Sequence, residues 1–209
     1  MKSNREYRDM TMKIETRTET EEGMIVSGYA STFNQPYVLY EDEDWRFEEV
    51  VDRKAFDSTD MSDVIMQYDH EGRVFARKSN KTLKVEPDEH GLRIEADLGG
   101  TELGRQLYEE IRGGYTDKMS FGFTVNGQDT LDTKAADGKD LTVRTITSIG
   151  KLYDVSAVSI PANNATEISV RSLCDGEIAR LTAERLERER IAEKRKALVE
   201  RARAIGERK

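Results

Sequence analysis

Hydrophobic and polar residues alternate along most of the first 171 positions, which is the pattern of half-buried β-strands. Asn-Gly and Asp-Gly pairs and prolines separate the alternating segments. The pattern predicts strands over residues 11–20, 24–33, 37–51, 63–70, 82–98, 117–125, 140–149 and 151–164. Two of these segments, 37–51 and 82–98, contain an internal turn and are predicted to be hairpins.

One segment of the same region has the period of an α-helix instead. Leu103, Leu107 and Ile111 recur four residues apart, Thr101 is a suitable N-cap, and a Gly-Gly pair ends the segment at 113–114. Eight or more strands with one or two helices predict a mainly β fold of the α+β class. We expect the strands to form an antiparallel β-barrel that is closed or nearly closed.

Residues 172–209 differ in composition from residues 1–171 and are interpreted as a charged helical tail. They contain 11 Lys and Arg against 8 Asp and Glu, whereas the first 171 residues contain 22 against 33. The tail is rich in Ala, Glu, Arg and Leu and has no proline, so a helix with Asp175 as its N-cap is predicted. Two interpretations stay open: a solvated helix held by charge pairs, or a helix that docks on a partner during assembly.

Charge and composition exclude several classes of protein. An acidic body offers no basic excess to displace counterions from phosphates, so nucleic acid is not an expected partner. Cys174 is the single cysteine, so no disulfide can form within the chain and a reducing compartment is expected. The N-terminal stretch lacks the apolar core of a signal peptide, and no run approaches the ~18 apolar residues of a membrane span. An intracellular protein without a membrane segment is expected.

The stretch DKMSFGFTV at 117–125 combines core residues with small polar ones. If the strand alternates, Phe121 and its apolar neighbours face the core, whereas Ser120, Gly122 and Thr124 face the other way. Core packing does not require a hydroxyl and a glycine on that second face. A glycine two residues from the serine would let another backbone come close. The stretch is therefore a candidate site with Ser120 as its reactive group.

A serine nucleophile needs a general base, and the chain contains two histidines. His90 lies in the turn-like sequence PDEHGLR, where a solvated histidine is the simpler interpretation. His70 ends the predicted strand DVIMQYDH and would share a face with Met66 and Tyr68, which makes it the better base. From the local pattern alone, a histidine that only hydrogen-bonds to the neighbouring acids stays an alternative.

Asp154 is the candidate for a group that orients the histidine. It interrupts the apolar stretch LYDVSAVSIP, and a buried carboxylate requires a partner such as an imidazole. An aspartate that faces solvent from an edge strand is the alternative. The acidic residues 41–44 lack the spacing of a calcium loop and are interpreted as a solvated hairpin tip. No metal site is predicted, and Cys174 has no histidine near it in sequence.

Five sequence blocks occur in an order that resembles a known family. The blocks lie between Ile14 and Arg171 and are GYASTFN, YDHEGRVFARKSNKTLKVEPDEHGLRIEADL, TELGRQLYEEIRGG, MSFGF and DVSAVSIPAN. In this order and spacing they resemble the prohead, or capsid maturation, serine proteases of tailed bacteriophages, which are similar in fold to the herpesvirus assemblins. The resemblance implies an assemblin-type barrel over residues 1–171 and hydrolysis of peptide bonds.

Carried onto this sequence, the resemblance implies Ser120 as the nucleophile, His70 as the general base and Asp154 as the third member of a triad. The family more often has Glu at the third position, and acids flank His70 here in an order that departs from the family pattern. The donors to an oxyanion are not singled out, and main-chain N–H groups near Gly122 or at 161–164 are the candidates.

The resemblance also implies the substrates and the setting. The substrates would be the scaffold or the N-terminal extension of the major capsid protein, and the protease itself, cleaved inside the assembling prohead in the host cytoplasm. Substrate binding is expected along Phe121, Gly122 and Thr124. No cofactor is implied, and a homodimer stays open. A noncatalytic barrel that acts as a capsid-assembly binding module is the rival, and the scarcity of histidine disfavours a metal-dependent hydrolase.

Overall fold

The computed structural model of the protein describes residues 5–10, 15–17, 23–159 and 173–206. The chain divides into two compact units, Met1–Ser169 and Val170–Lys209. The elements of the first unit are β1 Glu6–Met10, β2 Glu15–Arg17, β3 Ile25–Thr32, β4 Tyr37–Glu41, β5 Trp45–Val51, a 3₁₀ helix Arg53–Phe56, β6 Ile65–Tyr68, β7 Glu71–Arg77, β8 Leu83–Pro87, β9 Gly91–Asp97, α1 Glu102–Arg112, β10 Lys118–Lys134 and β11 Asp140–Val158. The second unit contains helix α2, Leu173–Gly206.

The strands of the first unit form two sheets. The larger, seven-stranded sheet has the order β1-β10-β11-β5-β4, with β6 also paired to β11 and β7 paired to β6. The smaller sheet has the order β2-β3-β9-β8. The predicted mainly β fold with a few helices is confirmed, but the described strands are not closed into a barrel. The relation to the assemblin fold stays a prediction.

The sheet was predicted to be wholly antiparallel, but strand β11 makes the larger sheet mixed. It runs for 19 residues and pairs in parallel with β5 over residues 140–146 and with β6 over residues 154–157. Alternation within a strand does not reveal the direction of a distant partner, so these parallel pairs could not be foreseen. The pairing with β6 brings the β6–β7 hairpin next to residues 154–157.

Strands β10 and β11 form one long hairpin where shorter strands were predicted. The Asn-Gly pair at 126–127 is not a turn, because β10 continues through it with shifts of register against β11. A glycine inside a strand often marks such an irregularity. The turn lies at 135–139, at the Asp-Gly pair that was also predicted to mark a turn, and Gly138 there has a φ of 89°. The predicted break near Gly150 is also absent from β11.

Helix α1 has the caps predicted for it. The Thr101 hydroxyl accepts a hydrogen bond from the Gly104 N–H at 3.0 Å, and Gly113 is the C-cap. Leu107 and Ile111 are buried in a core that includes side chains from both sheets. Leu103, which was predicted to extend the buried stripe, is 37% exposed.

Strand β1 is anchored by four charged side chains that are buried together, which we name the four-charge cluster: Glu6, Arg8, Glu49 and Arg144. Arg8 donates to Glu49 at 2.5 and 2.8 Å, and also bonds Glu6. Arg144 donates to Glu49 at 2.8 Å and to Glu6 at 2.7 and 3.0 Å. Two acids and two bases therefore balance, and β1 contributes one of each.

The arginines of this cluster keep the Glu6 carboxylate charged. Burial alone would raise the pKa of Glu6, but hydrogen bonds and charges from Arg144 and Arg8 outweigh burial, and the pKa lies below its ordinary value. Burial alone would lower the pKa of Arg144, whereas its bonds to Glu6 and the charge of Glu49 raise it. The hydroxyl of Tyr37 also donates to Glu49, at 2.5 Å.

Helix α2 confirms the predicted helical tail but not its predicted start. The helix begins at Leu173, so Asp175 lies within it and is not its N-cap. Arg180 and Glu184 form a charge pair at 2.6 Å, four residues apart. No helix in the described part of the chain is both long and apolar enough to cross a membrane.

Candidate active site

His70 was predicted to end a strand. In the structure it lies in a tight turn. Tyr68 of β6 pairs with Glu71 of β7, which leaves Asp69 and His70 as a two-residue loop. Both residues have positive φ angles, 48° and 59°, and a type I′ hairpin turn requires this at both of its central positions. Asp and His tolerate this conformation better than most residues. The turn brings the imidazole to β10 and β11.

Asp69 fixes the turn against the end of β11. Its N–H donates to the Ala157 carbonyl at 3.0 Å. Its carboxylate accepts from the N–H and the hydroxyl of Ser159, at 3.1 and 3.0 Å. Both the main chain and the side chain of Asp69 therefore hold the turn at the end of β11.

His70 lies within hydrogen-bond distance of both Ser120 and Asp154. His70 Nε2 is 2.5 Å from the Ser120 hydroxyl, and His70 Nδ1 is 2.5 Å from Asp154 Oδ1. The residues are separated by 50 and 84 positions in the sequence, so only the fold brings them together. Ser120 and Asp154 are fully buried, and the imidazole side chain is 14% exposed.

Gly122 leaves room for the Asp154 carboxylate. A Cβ atom at this position would collide with Asp154 Oδ2 and lie only 2.8 Å from Cε1 of Tyr7. Asp154 Oδ2 is buried and has no hydrogen-bond partner among the described residues, and the Arg5 guanidinium lies 3.8 Å from it. The absence of a side chain at Gly122 thus makes space for the Asp154 carboxylate, whereas the sequence had suggested that it makes space for a substrate backbone.

Two side chains near β1 complete the surroundings of the triad. The ring of Tyr7 lies 4.3 Å from the ring of His70, between centroids, at 54°. Arg5 stacks on Tyr153, with its guanidinium carbon 3.8 Å from the ring centroid. Neither residue was predicted, because no periodicity in the polar N-terminal stretch indicates where β1 pairs.

Ser156 was also missed, although the sequence held a signal for it. It lies two residues after Asp154 and therefore on the same face of β11. Its hydroxyl donates to Asp154 Oδ1 at 3.0 Å and lies 3.2 Å from His70 Nδ1. Ser156 is fully buried and is the β-ladder partner of Ser120.

The structure does not expose the residues predicted to bind substrate. Phe121 is fully buried and stacks on Phe123 with ring centroids 4.6 Å apart. Gly122 is buried and faces paired strands on both sides, Tyr7 on β1 and Asp154 on β11. Thr124 is half-buried. The alternative oxyanion donors at 161–164 lie outside the described residues.

The remaining candidates from the sequence lie apart from this cluster. His90 is exposed in the β8–β9 turn, with its ring 4.6 Å from that of Tyr29. The acidic tip at 41–44 is a turn in which Asp42 accepts from main-chain N–H groups. Among the described residues, no group of three or more His, Cys, Asp or Glu could hold a metal ion. The Cys174 side chain lies outside the described residues.

A hydroxyl next to an imidazole that is itself next to a carboxylate is the arrangement found in serine hydrolases. A family model described as caudovirus prohead serine protease matches residues 11–177, and the chain belongs to this family. It is accordingly a serine protease of the capsid maturation type. Strand β1 lies outside the matched residues.

The chain was also compared with curated proteins and with solved structures. No curated protein matches the sequence. A solved structure, the bacteriophage T4 capsid assembly protease gp21, aligns with a TM-score of 0.36 and 10% identity, over 75% of this chain and 99% of that one. A TM-score this low does not establish a shared fold, so the family assignment comes from the sequence match alone.

Proposed function

We propose that the protein is a capsid maturation endopeptidase whose catalytic triad consists of Ser120, His70 and Asp154. The observation that carries this proposal is the unbroken line of two 2.5 Å contacts from hydroxyl to imidazole to carboxylate. Three residues this distant in sequence meet at one point with the atoms in the order that nucleophilic catalysis needs. The family membership supports the same chemistry.

In the proposed reaction His70 carries its proton on Nδ1, which faces Asp154. Nε2 then accepts the proton of Ser120 while Oγ attacks the carbonyl carbon of the scissile peptide. The imidazolium returns that proton to the leaving amine, and the acyl group stays on Ser120. A water molecule gives one proton to Nε2 while its oxygen attacks the ester carbon, and the imidazolium then returns that proton to Ser120 Oγ as the acid leaves.

Entry of a substrate requires the site to open. Ser120 is fully buried, and both edges of β10 beside it are occupied, by β1 and by β11. Strand β1 is the outer one, and its Tyr7 covers the imidazole. Movement of β1 would remove one acid and one base of the four-charge cluster, and would leave Glu49 bonded to Arg144. No unbalanced charge would remain buried, so this movement is less costly than the burial suggests.

The substrates of a capsid maturation protease are capsid and scaffold proteins in general. For this chain we assign cleavage to the scaffold or to the N-terminal extension of the major capsid protein, and to the protease itself. Helix α2 would recruit the protease into the assembling shell. Its alternating charges suit contacts with another charged helix, and the described side chains Leu186 and Ile191 are exposed.

Co-expression with the capsid and scaffold proteins tests the assignment. We expect the wild-type chain to cleave at least one of them and Ser120→Ala to cleave neither, with the same thermal unfolding midpoint. Ser31→Ala is a matched control, since Ser31 is equally buried and its hydroxyl donates only to the Thr32 carbonyl at 3.3 Å. Cleavage by Ser120→Ala at the wild-type rate would remove Ser120 from the mechanism.

The rival function is a binding module without catalysis, and the complete burial of Ser120 favours it. That module would be incorporated into proheads by the wild-type and Ser120→Ala chains alike, with no product of cleavage from either. The endopeptidase instead produces shortened partners only with Ser120 intact. Gel analysis of purified particles separates the two functions.

A further inference from the structure

We propose that Ser156 is a positioning residue that holds the His70–Asp154 pair in its reactive tautomer. This inference rests on the proposed triad, and assigns a role to a side chain that does not touch the reacting atoms. Ser156 is fully buried two residues from Asp154, with its hydroxyl between the carboxylate and the imidazole.

The three polar groups form a closed ring of contacts. Ser156 Oγ donates its only proton to Asp154 Oδ1 at 3.0 Å, and its oxygen lies 3.2 Å from His70 Nδ1. Asp154 Oδ1 also lies 2.5 Å from Nδ1. Two oxygens with lone pairs therefore face the same ring nitrogen.

This arrangement selects one tautomer of the histidine. A proton on Nδ1 can be shared between Asp154 Oδ1 and Ser156 Oγ, whereas an unprotonated Nδ1 would place its lone pair against the carboxylate. The Nδ1–H form leaves the lone pair on Nε2, where Ser120 presents its hydroxyl. Ser156 thereby assists the form of His70 that can act as a base.

The carboxylate depends on this serine because it has few other donors. Asp154 Oδ2 has no hydrogen-bond partner in the described part of the chain, and Oδ1 accepts from His70 and from Ser156. Loss of the serine hydroxyl would leave the buried carboxylate with His70 as its hydrogen-bond donor and with the Arg5 guanidinium 3.8 Å away. That carboxylate would bind the imidazolium proton more tightly and would be free to rotate.

The charged and titratable groups around His70 include Asp154 on β11, Arg5 and Tyr7 at β1, and Asp69 in the same turn. A substitution at Ser156 removes none of these groups. A displaced pH profile in a Ser156 variant would therefore report the loss of the hydroxyl.

Threonine and valine at position 156 form a pair of equal shape that differs in the hydroxyl. We would measure the rate at which a fluorophosphonate labels Ser120 in the full-length chain, as a function of pH. This probe requires no knowledge of the cleavage site. We expect Ser156→Val to label about ten- to a hundredfold more slowly than Ser156→Thr, with its acid-side midpoint at higher pH. Ser156→Ala should behave like the valine variant, and Ser31→Ala like the wild type.

Equal rates and equal midpoints for the threonine and valine variants would overturn the inference, and so would a slower rate with an unmoved midpoint. Failure of the triad itself gives a different result. In that case the wild-type chain is not labelled on Ser120, or His70→Ala is labelled as fast as the wild type.

Discussion

Two groups of polar side chains are buried in the same sheet, and they are built in different ways. In the four-charge cluster two acids meet two arginines, and none of its atoms is among the buried side-chain atoms without a hydrogen-bond partner in the described residues. In the triad a single carboxylate holds a single imidazole, and Asp154 Oδ2 has no such partner. The four-charge cluster suits anchoring, whereas the triad contains an imidazole that can accept a proton from Ser120 and return it.

Strand β1 contributes to both groups because its side chains alternate. Glu6 and Arg8 belong to the four-charge cluster, and Tyr7, which lies between them in sequence, packs against His70. Substitutions in one group should therefore affect stability, and substitutions in the other should affect catalysis.

The largest effect is expected from Asp154→Asn. The amide can donate to Nδ1 and so favour the tautomer with its proton on Nε2, which cannot act as a base toward Ser120. We expect the rate of peptide cleavage to fall by about 10⁴-fold, with little change in the unfolding midpoint. Asp60→Asn is the control, since Asp60 pairs with Lys151 at the surface. A large fall in the unfolding midpoint of Asp154→Asn would contradict the assignment of the triad to catalysis and of the four-charge cluster to stability.

In contrast to Asp154→Asn, Glu49→Ala should lower the stability of the fold rather than the rate of catalysis. It removes the carboxylate that both Arg8 and Arg144 bond, and so leaves excess positive charge buried. We expect the free energy of unfolding in urea to fall by about 3–5 kcal/mol, while labelling of Ser120 in the folded fraction is not slowed. Glu48→Ala, at the neighbouring half-buried position, should cost far less. An unchanged free energy of unfolding for Glu49→Ala would show that the cluster does not anchor β1.

Gly122→Ala tests whether catalysis depends on the position of the Asp154 carboxylate. The added methyl would press on Asp154 Oδ2 and Tyr7 and displace the carboxylate from His70. We expect cleavage to slow by about a hundredfold, since small misplacements of catalytic groups have effects of this size. Gly127→Ala, where a Cβ would approach Thr147 at 3.0 Å, is the control on the same strand. Wild-type activity for Gly122→Ala would mean that the carboxylate position is not critical.

The smallest effect concerns acid stability. The pKa of Glu6 is lowered in the folded chain from its ordinary value of 4.5, so its contribution to stability is present above that value. This contribution is lost as the pH falls through the lowered folded pKa. Urea denaturation between neutral pH and pH ~3 should therefore give a shallower pH dependence for Glu6→Gln than for the wild type. Parallel curves would show that Glu6 is not held as a carboxylate.

The sequence indicated which residues form the candidate site, but not the turn and the strand pairings that position them. Ser120, His70 and Asp154 were singled out by their residue types and by the blocks around them, and their side chains lie together in the structure. Ser156 could have been found from alternation alone. The turn at Asp69 and His70 could not, because it lacks the glycine that usually signals a two-residue hairpin loop.

Long-range pairing accounts for most of what could not be predicted. The parallel contacts of β11 and the position of β1 depend on partners that are distant in sequence, which a local pattern does not encode. Helix α1, in contrast, is specified by its own caps and period, and its bounds were predicted within a residue or two.

Fluorophosphonate labelling followed by intact mass and peptide mapping tests the central claim most directly. We predict a single adduct on Ser120 of the wild-type chain, none on Ser120→Ala, and strongly reduced labelling of His70→Ala. The folded wild-type chain left without an adduct, or an adduct on another serine such as Ser156, would contradict the triad.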